Sequence, residues 1–327
     1  LLNLFRNNSI FALLFLIVFT VLIRISPFLI TLPIDLNINA PLAQILFEWI
    51  TTFEDYYYFS VVSASFFVVL QAWLLNHLVV KHSILRKDSF LPALFFVLLN
   101  SFYKEQLFLN PQLIANLFII LMFERLCNLY ESEKPLYVVL DSGLFLGLAI
   151  LFNYDTLIYL PLILISVVII TYFNIRFLLA SIFGILLPIY LVGVVFYMFD
   201  SLNDLLIIIE ISVKRNYINQ ITFNWIKLLP WFLITGITLV SAVLLQAEYF
   251  KSKVKTRRII FTVVIFIIIS VLIILIENHN LVYAVCYLSI PLSIIIANYF
   301  MNKRFVILKE ILFLLLVSAC VLYQYFI

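Results

Sequence analysis

Residues 259–276 read IIFTVVIFIIISVLIILI. They carry no charge over about the length an α-helix needs to cross the hydrocarbon of a bilayer. Lys251, Lys253, Lys255, Arg257 and Arg258 stand just before this run, and Glu277 just after it. Similar runs recur along the chain, at 9–31, 59–80, 89–103, 111–128, 136–152, 156–173, 177–199, 229–247, 281–300 and 306–326. The pattern predicts an all-α fold, a polytopic transmembrane helix bundle of about 11 spans. Weak separation of the third, fifth and sixth runs sets the range at about ten to twelve. Residues 1–327 are expected to form a single integral membrane domain.

Composition agrees with this reading. Of the 327 residues, 65% are hydrophobic and 11% charged, with a mean hydropathy of +1.19. A soluble domain is roughly 45–50% apolar and about 25% charged. A water-soluble enzyme, a nucleic-acid binder, a disordered chain and a disulfide-stapled domain are therefore excluded. A β-barrel is excluded as well, because its strands are short and alternating. Cys127, Cys286 and Cys320 lie in or beside apolar runs without C-x-x-C spacing, and read as small hydrophobes. No small-residue cleavage site follows the first run, so it is expected to stay as an anchor.

Placing the N-terminus in the cytoplasm tests the span count by the positive-inside rule. The inner segments then hold Arg6, Lys81, Arg86, Lys87, Arg125, Lys134, Arg176, the cluster before residue 259, and Lys303, Arg304 and Lys309. Only Lys104, Lys214, Arg215 and Lys227 fall outside. Acids lean the other way: Asp35, Glu48, Glu54, Asp55, Glu105, Asp155, Asp200, Asp204, Glu210 and Glu277 are expected outside. A bacterial-type inner membrane, with the C-terminus outside, fits this asymmetry.

The long connections are both external. The first, 32–58, contains Asp35 and then a helical stripe of Leu42, Ile45, Leu46, Trp49, Ile50 and Phe53, opposed by Gln44, Glu48, Thr51 and Thr52. Pro41 suits its first turn. This predicts an interfacial helix with Trp49 at headgroup depth and Glu54–Asp55 just beyond it. The second, 200–228, opens with a capping-box-like Ser201 and Asp204, and brings Lys214 and Arg215 above the membrane. Such a cation pair suits a lipid phosphate or ordinary headgroup contact.

Other polar residues have two readings. Arg24, late in the first span, either snorkels to the outer interface or faces the bundle. Asp141 lies shallow in the fifth span, which favours a structural hydrogen bond. Lys104–Glu105 is either an idle surface pair or part of an outer site. His77, His82 and His279 are too far apart in topology for one metal site. Gly143 and Gly147 form G-x-x-x-G, a spacing for close helix approach. Few glycines and no charge at mid-span disfavour a broken-helix transporter.

The stretches NPQLIANLFIILMFERL, from Asn110, and LFLGLAILFNYDTLIYLPL, ending at Leu162, sit among these spans and loops. Together with the acid-bearing first outer loop and the basic loop after span seven, they resemble the GT-C superfamily of membrane glycosyltransferases. The resemblance covers roughly the first 230 residues. It implies sugar transfer from a polyprenyl-phosphate donor at the outer face. It makes Asp35 the general base and Glu105 its assistant, with a divalent cation, Mg²⁺ or Mn²⁺, as the implied cofactor. It assigns Lys214 and Arg215 to the donor phosphate, with Arg24, Lys104, Glu54 and Asp55 nearby in substrate binding. In one place the chain departs from the family pattern. The acid pair expected soon after span one is Asp35 alone, and Glu54–Asp55 falls just before span two. The alternative is a non-enzymatic membrane scaffold or assembly subunit, and the third reading a transporter. The expected partners are membrane lipid and a polyprenyl-phosphate-linked sugar, with no nucleic acid.

Overall fold

The computed structural model describes residues 2–30, 38, 40–171, 174–203, 205–207, 210, 225–249, 253–276, 281–302 and 305–326, with backbone alone at 225–230, 232–233, 246–249, 274–276, 281–284 and 326. All regular structure among them is helical. In chain order the α-helices are α1 Leu2–Phe5, α2 Ile10–Ile23, α3 Ser26–Leu29, α4 Pro41–Thr51, α5 Tyr56–Lys81, α6 Leu91–Leu99 and α7 Pro111–Asn128. There follow α8 Pro135–Phe152, α9 Leu160–Ile170, α10 Ile175–Met198, α11 Trp225–Tyr249, α12 Val254–Ile276, α13 Leu281–Met301 and α14 Val306–Phe326. Short 3-10 turns cover Lys104–Leu107 and Tyr154–Tyr159.

A helix occupies every stretch where the sequence predicts a span. Among the described residues, five helices are long and apolar enough to cross a membrane: α5, α8, α10, α12 and α14. Of the rest, α6 departs most from expectation. Its nine residues rise only about 13.5 Å, under half of a bilayer core. The expected span at 89–103 is thus a half-length helix running into irregular chain. Every residue of α6 is buried, and so are most of residues 100–110 behind it. Irregular backbone at that depth is tolerated where protein surrounds it. Here α13, α5 and α2 pack around α6, and Phe95 lies 4.6 Å, ring to ring, from Phe300 of α13.

Two of the helix stops form without glycine. At the end of α5, Ser83 N–H donates to Val80 O and Ile84 N–H to Val79 O. This is a Schellman motif with Ser83 at φ 49° where glycine is usual. The end of α10 repeats it, with Asp200 at φ 53° and Ser201 N–H on Phe196 O. The Ser201 hydroxyl also reaches Phe196 O, so it serves the helix behind it. Asp204 lies outside the described residues.

Connections gather at two ends of the bundle. At one end, Phe90 N–H donates to Phe5 O, Arg6 reaches Phe300 O, Lys81 meets Glu124 at 2.8 Å and Lys255 meets Glu131 at 2.6 Å. At the other, Leu109 N–H donates to Ser60, the Tyr57 hydroxyl to Pro27 O, and Trp231 Nε1 to the Tyr103 hydroxyl.

The tightest helix pair is α8 against α10. A Cβ on Gly143 would lie 2.4 Å from Ser181 O, and one on Gly184 2.4 Å from Leu140 O. On Gly147 it would meet Pro188 Cγ at 2.5 Å and Ile185 O at 2.6 Å. The G-x-x-x-G spacing therefore lets two backbones touch. Replacing Gly184→Leu is expected to destabilise by about 1–3 kcal/mol or more, since backbone cannot move aside cheaply. Gly193→Leu, where the added atoms meet open space, is expected to be near neutral. Thermal unfolding in detergent compares the two variants.

Candidate functional site

The half-length α6 creates the problem around which one end of the bundle is built. A helix C-terminus leaves carbonyls without partners, and here they are buried away from water. Arg24, the residue capping α2, answers it. Its side chain is 1% exposed. Nη1 donates to Asn100 O at 3.0 Å and Nη2 to Gln106 O at 2.7 Å. One planar fork therefore joins the end of α6 to the turn Lys104–Leu107. A cation at a helix C-terminus is favoured by the helix dipole.

Neighbouring helices complete the cage. Ser101 O accepts from Gln324 Nε2 at 2.5 Å and from Cys320 Sγ at 3.1 Å. The Asn100 amide donates to Ser289 Oγ at 2.8 Å, and the Ser26 hydroxyl to Gln324 Oε1 at 2.9 Å. Arg24 faces the bundle, so the snorkelling reading is overturned. The acceptors it holds are carbonyls, which offer partial charge without a pKa of their own. Among the described residues no hydrogen-bond partner reaches its Nε or Asn100 Oδ1.

The remaining site residues divide into three groups. Lys104 and Glu105 are half-exposed on the turn that Arg24 grips. Glu54 and Asp55 are exposed between α4 and α5, three and two residues before Tyr57, whose hydroxyl reaches Pro27 O at 2.9 Å. Arg24, Glu54, Asp55, Lys104 and Glu105 therefore belong to one end of the bundle. Asp35, Lys214, Arg215 and His279 lie outside the described residues. Among the described residues no three His, Cys, Asp or Glu side chains form a group able to hold a metal ion.

The helix α4 differs from its expected stripe. It packs on α8 with Ala43, Phe47 and Ile50 buried. Ile45, Trp49 and Phe53 point away from the protein. Apolar side chains thus lie on two faces, one against protein and one outward, and of the expected stripe Ile50 is on the buried face. Asp141 is partly exposed and lies 3.8 Å from Arg125 Nε, a loose ion pair and not the hydrogen bond expected of it.

Sequence reading missed the neutral amides. Gln71 of α5 donates to Leu113 O at 2.7 Å, and Asn116 of α7 to Gln71 Oε1 at 3.4 Å. Gln112 is fully buried, and no partner reaches either of its amide atoms among the described residues. Asn153 Nδ2 donates to the Tyr287 hydroxyl at 2.8 Å. Such groups carry no charge and vanish in a hydropathy average. Their density in a region of continuous apolar sequence was the available signal.

The opposite, basic end holds a different arrangement. His82 follows α5 and is 1% exposed. Neither imidazole nitrogen has a partner among the described residues. Burial pulls its pKa down to about 4, and the charges of Lys255 and Lys81 add to that. Glu131 is held below the usual carboxyl range by the hydrogen bond from Lys255. Beside this turn lies an apolar cavity of about 400 Å³ between α11, α12 and α13, closed by Ile84 and Leu85.

Two outcomes follow from these sites. Arg24→Met leaves the Asn100 and Gln106 carbonyls buried without a charged donor, at about 1–3 kcal/mol for each. A large drop in melting temperature is expected, and Arg24→Lys, lacking the fork, should not restore it. For His82, the folded pKa lies below the unfolded value of about 6.5, so its neutral state stabilises the fold fully above that pH. This contribution is lost as pH falls from about 6.5 toward 4. The melting temperature should decline between pH 7.5 and pH 5 by less in His82→Phe than in the parent chain.

Comparison with protein-family models, with curated proteins and with solved structures finds no match to this chain.

Proposed function

We propose that this chain is a multi-pass membrane protein of GT-C-like architecture, crossing the bilayer eleven times with its basic end in the cytoplasm. It transfers a sugar from a polyprenyl-phosphate donor at the opposite, outer face. The alternation of connections supports the topology. Segments that the positive-inside rule assigns to one side bond to one another, as Arg6 does to Phe300 O and Lys255 to Glu131. Those assigned to the other side do the same.

One observation carries the site. Arg24 pins the Lys104–Glu105 turn to the end that also presents Glu54 and Asp55. In this reading Arg24 is a positioning residue, because its fork is spent on carbonyls. Glu105 supplies a carboxylate beside the acceptor, directly or through a divalent cation. Asp35 acts as base, and Lys214 and Arg215 neutralise the leaving lipid phosphate, on the strength of the sequence.

The scaffold reading is favoured by a separate observation, that the one fully buried guanidinium among the described residues serves the fold. The two separate in a transfer assay. Purified protein in nanodiscs, given a radiolabelled polyprenyl-phosphate sugar, should yield labelled acceptor. Glu105→Gln should lower the rate by about 100-fold or more, while the exposed Glu133→Gln leaves it unchanged. No transfer from a polyprenyl-phosphate sugar would favour the scaffold, whereas full activity in Glu105→Gln would place the catalytic carboxylate elsewhere.

A further inference from the structure

We infer that the basic end of the bundle carries a binding site for an anionic phospholipid, with one acyl chain in the apolar cavity and the phosphate at the adjoining cationic rim. The cavity measures about 400 Å³ and is walled by Ala242, Ile260, Val264 and Ile295, with Ile84 and Leu85 across one end. That volume falls within the roughly 300–1,000 Å³ of specific small-molecule sites. Its walls are hydrocarbon, which suits a chain and not a sugar or a nucleotide. Ala242 and Val264 are also exposed on the flank of the bundle, so the cavity opens sideways, where an acyl chain arrives from the bilayer without crossing water.

The segments that lead into the lining supply the charge. Leu85 is followed directly by Arg86 and Lys87, and Ile260 is preceded by Lys253, Lys255 and Arg257. Lys87 and Lys253 are exposed. The acids nearby, Glu124 and Glu131, are already engaged by Lys81 and Lys255, and Asp88 is the remaining one in the 81–89 turn. The surplus is positive, and basic side chains near a membrane surface attract anionic lipid.

A second copy of the chain is a poorer occupant. A stable interface buries about 800 Å² on each partner, whereas this is a slot between three helices. The inference needs the membrane setting but not the glycosyltransferase reading. None of its residues lies at the outer end, so either can fail while the other stands.

Native mass spectrometry of the full chain, with phosphatidylglycerol and phosphatidylcholine of identical acyl chains as probes, tests it. The protein should retain phosphatidylglycerol over phosphatidylcholine by about tenfold or more, the order expected from two cations at a phosphate. Lys87→Glu with Lys253→Glu should abolish that preference. Ala242→Phe should reduce retention of both lipids severalfold, and Val264→Phe serves the same purpose should the first variant not elute as a folded species. Equal retention of the two lipids by the parent chain would overturn the inference. So would undiminished phosphatidylglycerol in the filled-cavity variants, or a lipid-free dimer in place of the lipid complex.

Discussion

Arg24 and the carbonyls at the end of α6 form the contact on which the rest of this end of the bundle depends. A helix that stops halfway through an apolar layer leaves carbonyls that water cannot reach. A single guanidinium bridges Asn100 O and Gln106 O, and Gln324 and Cys320 satisfy Ser101 O between them. These contacts tie α2, α6, α13 and α14 to one point. They also hold the Lys104–Glu105 turn in place, so the carboxylate in the candidate site owes its position to a cation that itself belongs to the fold.

The same solution recurs at the basic end. Arg6 donates to Phe300 O, and Lys309 to Tyr299 O and Asn302 O, all at the end of α13. Arg258 donates to Ile170 O at the end of α9. Cations and helix C-termini attract through the aligned peptide dipoles, and in apolar surroundings that attraction is little screened. Residues counted for topology by the positive-inside rule thus have a second use, closing helix ends. A chain with five glycines has few residues for glycine-based stops, and Ser83 and Asp200 adopt the left-handed conformation in glycine's stead.

Legibility followed the range of the forces involved. The helix positions were readable because burial in hydrocarbon is a sum over neighbours in the chain. The α8–α10 contact was half readable: Gly143 and Gly147 announced a close approach, but Gly184 as the partner appeared only when the two backbones met. For α4 the apolar stripe was readable, but not which apolar side chains face protein. Phe47 rather than Trp49 is buried, a choice made by contacts between segments distant in the chain. For Arg24 the residue was singled out, and its acceptors were not. Carbonyls carry no sequence signature, since every residue has one.

What the sequence determined by itself is the apolar, all-helical character of the chain, where its helices lie, and the separation of cations from acids along it. Each follows from local composition, averaged over about one membrane thickness. Only the tertiary structure decided that α6 is half-length, that Arg24 is occupied by backbone, that Gln71 and Asn116 meet between α5 and α7, and that a cavity opens beside the turn after α5. Those features arise between segments distant in the chain. Their energies depend on distances and burial that no window along a sequence contains.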